Sequence, residues 1–370
     1  MTNTFKINNL LRKIATKNVS DVHLTLGKPP ALRMMGSIVK VKLDPLNEAD
    51  FEDIIKTIAP KKFADNYSEY LNYDFTYVLD NVSRYRVNYS KNFGKPQIVL
   101  RTIPFEPLLI KDLELPETLY DITQLNNGIV FFTGATGSGK STSIAALIET
   151  INREKTKHII TIEDPVEFIF SDKSCIVSQK ALGHDVEDFT AGIKYALRQD
   201  PDIIVVGEIR DRQTMEAALA AAETGHLVLT TIHANTAINT IDRVINMFDE
   251  QIRSFMLDRL SNSLRYVVSQ RLLPVKDGEG RLPAVEIMSV TPTVKDYMLK
   301  KEYEEIYNLM RRGETHGMFT LNNSIYNLYK ADKITQEVAL EYSDDKIELT
   351  QMMAGSFRGT AGDYSNSNYV

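Results

Sequence analysis

The chain has 370 residues, 43% of them hydrophobic and 25% charged, which excludes a disordered chain and is length enough for two domains with proper cores. A formal net charge of -6, with no long basic run, argues against nucleic acid as a partner. The single cysteine, Cys175, excludes an intramolecular disulfide and fits a reducing compartment. The first ten residues have no apolar stretch behind a basic start, so no secretory signal is expected. No segment approaches the roughly 18 apolar residues of a membrane-spanning helix, and the expectation is a cytoplasmic chain.

Residues 1–103 mix short helical and strand-like patterns and read as a small α+β domain. Within it, residues 31–41 suggest a hairpin around Met35-Gly36-Ser37. Residues 83–89 and 97–103 alternate polar and apolar side chains like antiparallel strands. Residues 104–127 carry Pro104, Pro107 and Pro116 and read as a linker with one short helix over 116–124.

From residue 128 to 354 strands and helices alternate in the α/β manner. Gly128-Ile-Val-Phe-Phe-Thr133 reads as a buried strand, and Ile144, Leu147, Ile148 and Ile151 mark one face of the helix that follows. The runs 158–162, 202–206 and 226–231 are apolar enough for a parallel sheet buried on both faces. Cys175 lies in the apolar run 174–178 and reads as a small buried strand residue. A helix is expected over 213–223 with Gly225 ending it, a second on the face Ile241, Val244, Ile245 and Phe248, and a longer one over 252–272. After Pro292 the pattern is helical to about Met353, and residues 355–370 read as a flexible tail rich in Gly, Ser and Asn. No internal repeat is visible.

The strand over 128–133 runs straight into Gly134-Ala-Thr-Gly-Ser-Gly-Lys-Ser141, which matches the phosphate-loop pattern G-x-x-x-x-G-K-[ST]. Glycines let backbone amides close around phosphate, the following helix adds positive potential at its N-terminus, and Lys140 adds a full charge. Gly134, Ala135, Thr136, Gly137, Ser138, Gly139, Lys140, Ser141 and Thr142 are therefore the candidate nucleotide-binding residues, with the Ser141 hydroxyl placed for Mg²⁺. A carboxylate is needed beside such a loop. Glu208 stands just past the strand over 202–206 and can hold Mg²⁺ through water or orient the attacking water. Asp200 and Asp202 lie at the other end of that strand and read as turn residues. Glu163, Asp164 and Glu167 cluster after another strand, where carboxylates beside a triphosphate repel it unless a metal or ordered water intervenes. His226 and His233 bracket the next strand, about 23 Å apart at strand rise, too far to share a metal. His233 then reads as a γ-phosphate sensor and His226 as structural.

Taken together, four blocks resemble the secretion ATPase superfamily: residues 134–141, Thr161-Ile-Glu-Asp-Pro-Val-Glu-Phe168, Arg198-Gln-Asp-Pro-Asp-Ile-Ile-Val-Val-Gly-Glu-Ile-Arg-Asp211 and Thr224-Gly-His-Leu-Val-Leu-Thr-Thr-Ile-His-Ala234. They match its Walker A, Asp box, Walker B and His box in order. Ser20-Asp-Val-His-Leu24 followed by Gly27-Lys-Pro-Pro30 is similar to the opening of the type IV pilus retraction ATPases, PilT and PilU. The likeness runs from about residue 5 to 350.

This resemblance implies a RecA-like P-loop ATPase domain preceded by a PAS-like domain, and a homohexamer using ATP and Mg²⁺. Glu167 and Glu208 would be the catalytic carboxylates, with Glu163 supporting them and His233 sensing phosphate. Arg84, Arg86 and Arg101, with Arg198 and Arg210, are candidates for completing a site across subunits. The implied partners are an inner-membrane pilus platform protein and a paralogous PilT or PilU hexamer, with the chain peripheral to the inner membrane at the pilus base. The chain departs from PilT at Thr291-Pro-Thr-Val-Lys-Asp-Tyr-Met-Leu-Lys-Lys-Glu302, where PilT carries Ala-Ile-Arg-Asn-Leu-Ile-Arg-Glu. Ile232-His-Ala-Asn235, Gln270-Arg-Leu-Leu-Pro274 and His316-Gly-Met318 are closer to PilU. The open alternatives are a nucleotide-gated accessory subunit of a PilT motor and a pilus-assembly or secretion ATPase. Members of the latter kind usually carry a four-cysteine zinc motif that one cysteine cannot build.

Overall fold

Contacts within the chain gather into two units, residues 1–106 and 107–370. The computed structural model describes residues 5–355, except 16, 18, 35–36, 81, 104–106, 279 and 314–316. The expected turn at Met35-Gly36, Pro104, the feature at His316 and the tail beyond residue 355 lie outside the described residues.

In the first unit the elements run α1 (Ile7–Ile14), β1 (Val19–Thr25), β2 (Ala31–Met34), β3 (Ser37–Lys40), α2 (Glu48–Ile58), α3 (Lys61–Ala64), β4 (Asn72–Leu79), β5 (Ser83–Asn92) and β6 (Lys95–Ile103). The strands form one sheet in the order β3-β2-β1-β6-β5-β4, with antiparallel neighbours throughout. Alternation explains it: Tyr85, Val87 and Tyr89 of β5 are buried while Arg86 between them is exposed. The buried face packs on Leu11 of α1, Ile54 and Ile55 of α2 and Phe63 of α3. Phe63 lies flat on Tyr73, with ring centroids 4.4 Å apart. Asn47 and Asp50 start α2 by exchanging side-chain to backbone hydrogen bonds.

The second unit begins with α4 (Leu119–Thr123) and continues β7 (Gly128–Thr133), α5 (Lys140–Glu154), β8 (His158–Glu163), β9 (Ile176–Ala181), α6 (Phe189–Ala196), β10 (Ile203–Val206), α7 (Arg212–Glu223) and β11 (Leu227–Ile232). It ends with α8 (Ala237–Asn246), α9 (Arg253–Ser263), β12 (Leu264–Pro274), β13 (Arg281–Ser289), α10 (Pro292–Lys300), α11 (Tyr303–Arg312), α12 (Leu321–Lys330), α13 (Gln336–Tyr342) and α14 (Lys346–Met353). The sheet order is β13-β12-β7-β11-β10-β8-β9, parallel except for the edge strand β13. Every residue of β7, β10 and β11 is buried, as a sheet covered on both faces requires. One face packs with α6 to α9, the other with α4 and α5. The chain is therefore α/β, built on a largely parallel sheet.

Two expectations change. The long helix over 252–272 stops at Ser263, and Leu264 opens β12, which pairs with β7 on one side and β13 on the other. Apolar residues there satisfy a helical period, but β7 has an open edge, and Tyr266, Val267 and Val268 suit a strand that fills it. The segment read as a linker is also structural: Ile110, Leu115, Leu119 and Ile122 are buried in the core beneath α5. Pro107 and Pro116 lie outside helix and strand without releasing the chain from that core.

Candidate active site

Four parallel strands, β7, β11, β10 and β8, end on the same edge of the sheet, the edge where ligands gather in open α/β folds. The phosphate loop follows β7, His233 follows β11, Glu208 follows β10, and Glu163 ends β8. Around them opens a cleft of about 330 Å³. Thr136, Gly137, Lys140, Ser141, Glu163, Glu167, Glu208, Arg210 and His233 all line it.

The loop's shape depends on its glycines at two places. Gly134 has φ 139° and a Cβ there would stand 2.4 Å from the Gln270 carbonyl oxygen. Gly139, which caps the N-terminus of α5, has φ 89° and its Cβ would meet Gln270 Nε2 at 2.6 Å. Any side chain would collide at either position. Gln270 is fixed in turn by the Ser143 hydroxyl, which donates to its Oε1 at 2.7 Å. Lys140 Nζ donates to the Gly134 and Ala135 carbonyls, both at 2.9 Å, so the ammonium sits in the curl of the loop. Burial pushes its pKa down, while the Glu208 and Glu167 carboxylates resist that shift. Ser138 Oγ is buried without a protein partner among the described residues, and such an orphan suits a ligand oxygen. Ser141 is exposed and Thr142 half-buried in the first turn of α5.

Glu208 is held by its neighbours' backbone. The Thr231 hydroxyl donates to the Gly207 carbonyl at 2.7 Å, and the Ile209 amide donates to the Thr231 carbonyl at 3.0 Å. The carboxylate itself pairs with Arg210 and lies 3.8 Å from His233 Nε2. Arg210 is mostly exposed, and its hydrogen bond to Glu208 raises its pKa. Glu163 is half-buried and accepts from the Thr161 hydroxyl at 2.7 Å and from the Glu167 amide at 3.1 Å. Burial pushes Glu163 up despite those donors. Glu167 is exposed at the cleft.

The remaining candidates lie elsewhere. Arg198 is exposed just beyond α6 and does not line the cleft. Arg84, Arg86 and Arg101 belong to the first unit, where Arg86 stands opposite Arg101 in the β5–β6 register. Arg101 Nε donates to the buried Asp21 at 2.9 Å. His226 sits at the opposite end of β11 from His233, and its Nδ1 is 3.0 Å from the Ala221 carbonyl.

The sequence reading missed several residues that shape the site. Gln270 backs the phosphate loop from β12, and Ser269 Oγ beside it donates to the Asn235 carbonyl at 2.8 Å. Glu286 of β13, fully buried, accepts from the Ala237 amide at 2.6 Å, and burial pushes its pKa up to about 7. These two bonds hold the turn between His233 and α8. A further cleft of about 240 Å³ abuts the phosphate loop from the β12 side, lined by residues including Asn235, Arg271, Arg281 and Tyr342. Reading residues 252–272 as one helix hid Ser269 and Gln270 of β12.

For Mg²⁺, the donor set facing the cleft is a hydroxyl, Ser141, and the carboxylates Glu208 and Glu167, all hard oxygens. No group of three His, Cys, Asp or Glu side chains among the described residues could hold a metal alone. That fits an ion shared between one or two carboxylates and substrate phosphates rather than an all-protein cage.

Residues 91–339 match the sequence profile of the family described as Type II/IV secretion system protein. The chain is 39% identical over 336 residues to the type IV pilus retraction ATPase PilT of Pseudomonas aeruginosa, covering 90% of this chain and 97% of that one. It is 37% identical over 344 residues to the type IV pilus ATPase PilU of the same organism, covering 93% and 90%. Among solved structures, the pilus retraction motor PilT with bound ADP superposes with a TM-score of 0.87 at 38% identity, covering 94% of this chain and 100% of that one.

Proposed function

This chain belongs to the Type II/IV secretion system protein family, a family of ATPases, and we propose that it is an ATP-driven motor of type IV pilus retraction. The observation that carries this reading is the meeting of the phosphate loop, Glu167, Glu208 and His233 in one cleft. Similarity to PilT and PilU over nine-tenths of the chain supports the pilus assignment.

In this reading the triphosphate lies along the amides of residues 134–141, with the Lys140 ammonium turned from the loop carbonyls toward the phosphates. Ser141 and Glu208 hold Mg²⁺, which neutralises charge on the phosphate oxygens when bound. Glu167 and Glu208 orient the attacking water, and Glu208 gives up its pairing with Arg210 as nucleotide enters. His233, within reach of Glu208, senses the γ-phosphate. Arg84, Arg86, Arg101 and Arg198 act in a homohexamer, offered by one copy to another. The ring works on an inner-membrane platform protein from the cytoplasmic face. No helix among the described residues is long and apolar enough to cross a membrane.

A second reading, an accessory subunit of the PilU kind beside a PilT motor, is favoured by residues 291–302, which depart from the PilT pattern and contain α10. One experiment separates the readings: pilus number and twitching motility in a deletion strain. Many pili without motility support the retraction motor. Persistent twitching at reduced force supports the accessory role, and loss of pili would overturn both in favour of assembly.

A further inference from the structure

We propose that Gln179 is a positioning residue for ATP hydrolysis: its side-chain amide fixes the loop that carries Glu167, directly through the loop backbone and indirectly through Glu163.

Residues 164–170 form no helix or strand, so nothing in regular backbone pairing fixes Glu167. The structure shows what does. β9 is the edge strand of the sheet and runs parallel to β8, with Gln179 level with Thr161. Because side chains alternate along strands, Thr161, Glu163 and Gln179 share one face. The amide of Gln179 then makes three hydrogen bonds. Its Oε1 accepts from the Phe170 amide at 2.9 Å, and its Nε2 donates to the Phe168 carbonyl at 2.7 Å and to Glu163 Oε1 at 3.3 Å. A side-chain amide accepts from one backbone group through its oxygen and donates to another through its nitrogen, which ionised Glu, Lys or Met cannot do.

Glu163 passes the constraint on. Its Oε1 receives Thr161 and Gln179, and its Oε2 receives the backbone amide of Glu167 itself. Both oxygens are committed within the protein, while Glu167 one loop turn away is exposed to the cleft. The chain of contacts therefore runs from Gln179 to Glu163 to Glu167. The loop is gripped just after Glu167, at residues 168 and 170, and by Glu163 at residue 167. Holding a water-orienting carboxylate this way secures reaction geometry without touching nucleotide, and misplacement by about 1 Å can cost on the order of a hundredfold in rate.

The proposal rests on Glu167 acting on the attacking water, and the experiment separates the two claims. Steady-state ATP hydrolysis and ADP affinity are measured on the full chain for Q179M, E163A, the double variant and E167Q, with thermal melts of each. Met keeps the volume of Gln and removes all three bonds. Expected for Q179M is a kcat lower by roughly ten- to a hundredfold, with KM and ADP affinity near wild type and a melting temperature lower by no more than about a few degrees. The double variant should be slower than E163A, but by less than the product of the two single losses, since only part of the Gln179 constraint passes through Glu163. Wild-type turnover in Q179M would overturn the proposal. So would equal losses of kcat, ADP affinity and melting temperature, which mark general collapse, or multiplied effects in the double variant. Full activity in E167Q would overturn the reading of Glu167 instead.

Discussion

The two walls of the cleft are built by different means. The phosphate-loop wall is one contiguous stretch, residues 134–141, whose shape follows from three glycines with positive φ and the start of a 15-residue helix. The carboxylate wall is gathered from β8, β10 and β11, and side-chain hydrogen bonds set its loops: the Thr231 hydroxyl donates to the Gly207 carbonyl, the Gln179 amide donates to the Phe168 carbonyl, and Glu163 accepts from the Glu167 amide. The first wall is a local motif, and the second is a consequence of register. On the proposed reading this is a division of labour: one wall binds and the other aligns.

That division can be broken deliberately. The largest effect belongs to Lys140→Ala, which removes the only full positive charge of the phosphate loop. ADP affinity and turnover should fall together, turnover by at least about a hundredfold. Calorimetric titration with ADP beside a phosphate-release assay checks it, and intact binding would dissolve the distinction between the walls. Next is Gly134→Ala, whose Cβ must enter the space 2.4 Å from the Gln270 carbonyl. The strain, about 1–3 kcal/mol, should appear both as a lower melting temperature and as weaker ADP binding. The smallest effect is Thr231→Val, which keeps shape but leaves the Gly207 carbonyl without its hydroxyl donor. Stability should drop by about 1 kcal/mol in a denaturant titration, and kcat should fall a few-fold with ADP affinity unchanged.

The same contrast explains what the sequence made legible. Gly134 to Ser141 can be read from spacing alone, since its chemistry lies within eight residues. Glu208 and His233 were readable because each follows an apolar run, and strand ends place ligands. The parallel sheet followed from the same runs. What could not be read depends on strand order. Gln270 backs the loop only because β12 fills the edge of β7, and the helical period of residues 252–272 concealed that strand. Gln179 faces Glu163 only because β9 pairs with β8 in one register. Among the arginines, Arg210 lies in the cleft and Arg198 does not, although both sit within a few residues of β10. Chain proximity decides little there: the turn after the strand lines the cleft, and the turn before it does not.

The central claim, that this chain hydrolyses ATP with a carboxylate wall separate from its binding wall, is tested most directly by Glu208→Gln. Gln keeps the volume but lacks the charge that, on the proposed reading, orients water and holds the cation. Turnover should fall by roughly a hundredfold or more, while ATP and ADP bind within about threefold of wild type. Undiminished hydrolysis in that variant would contradict the account.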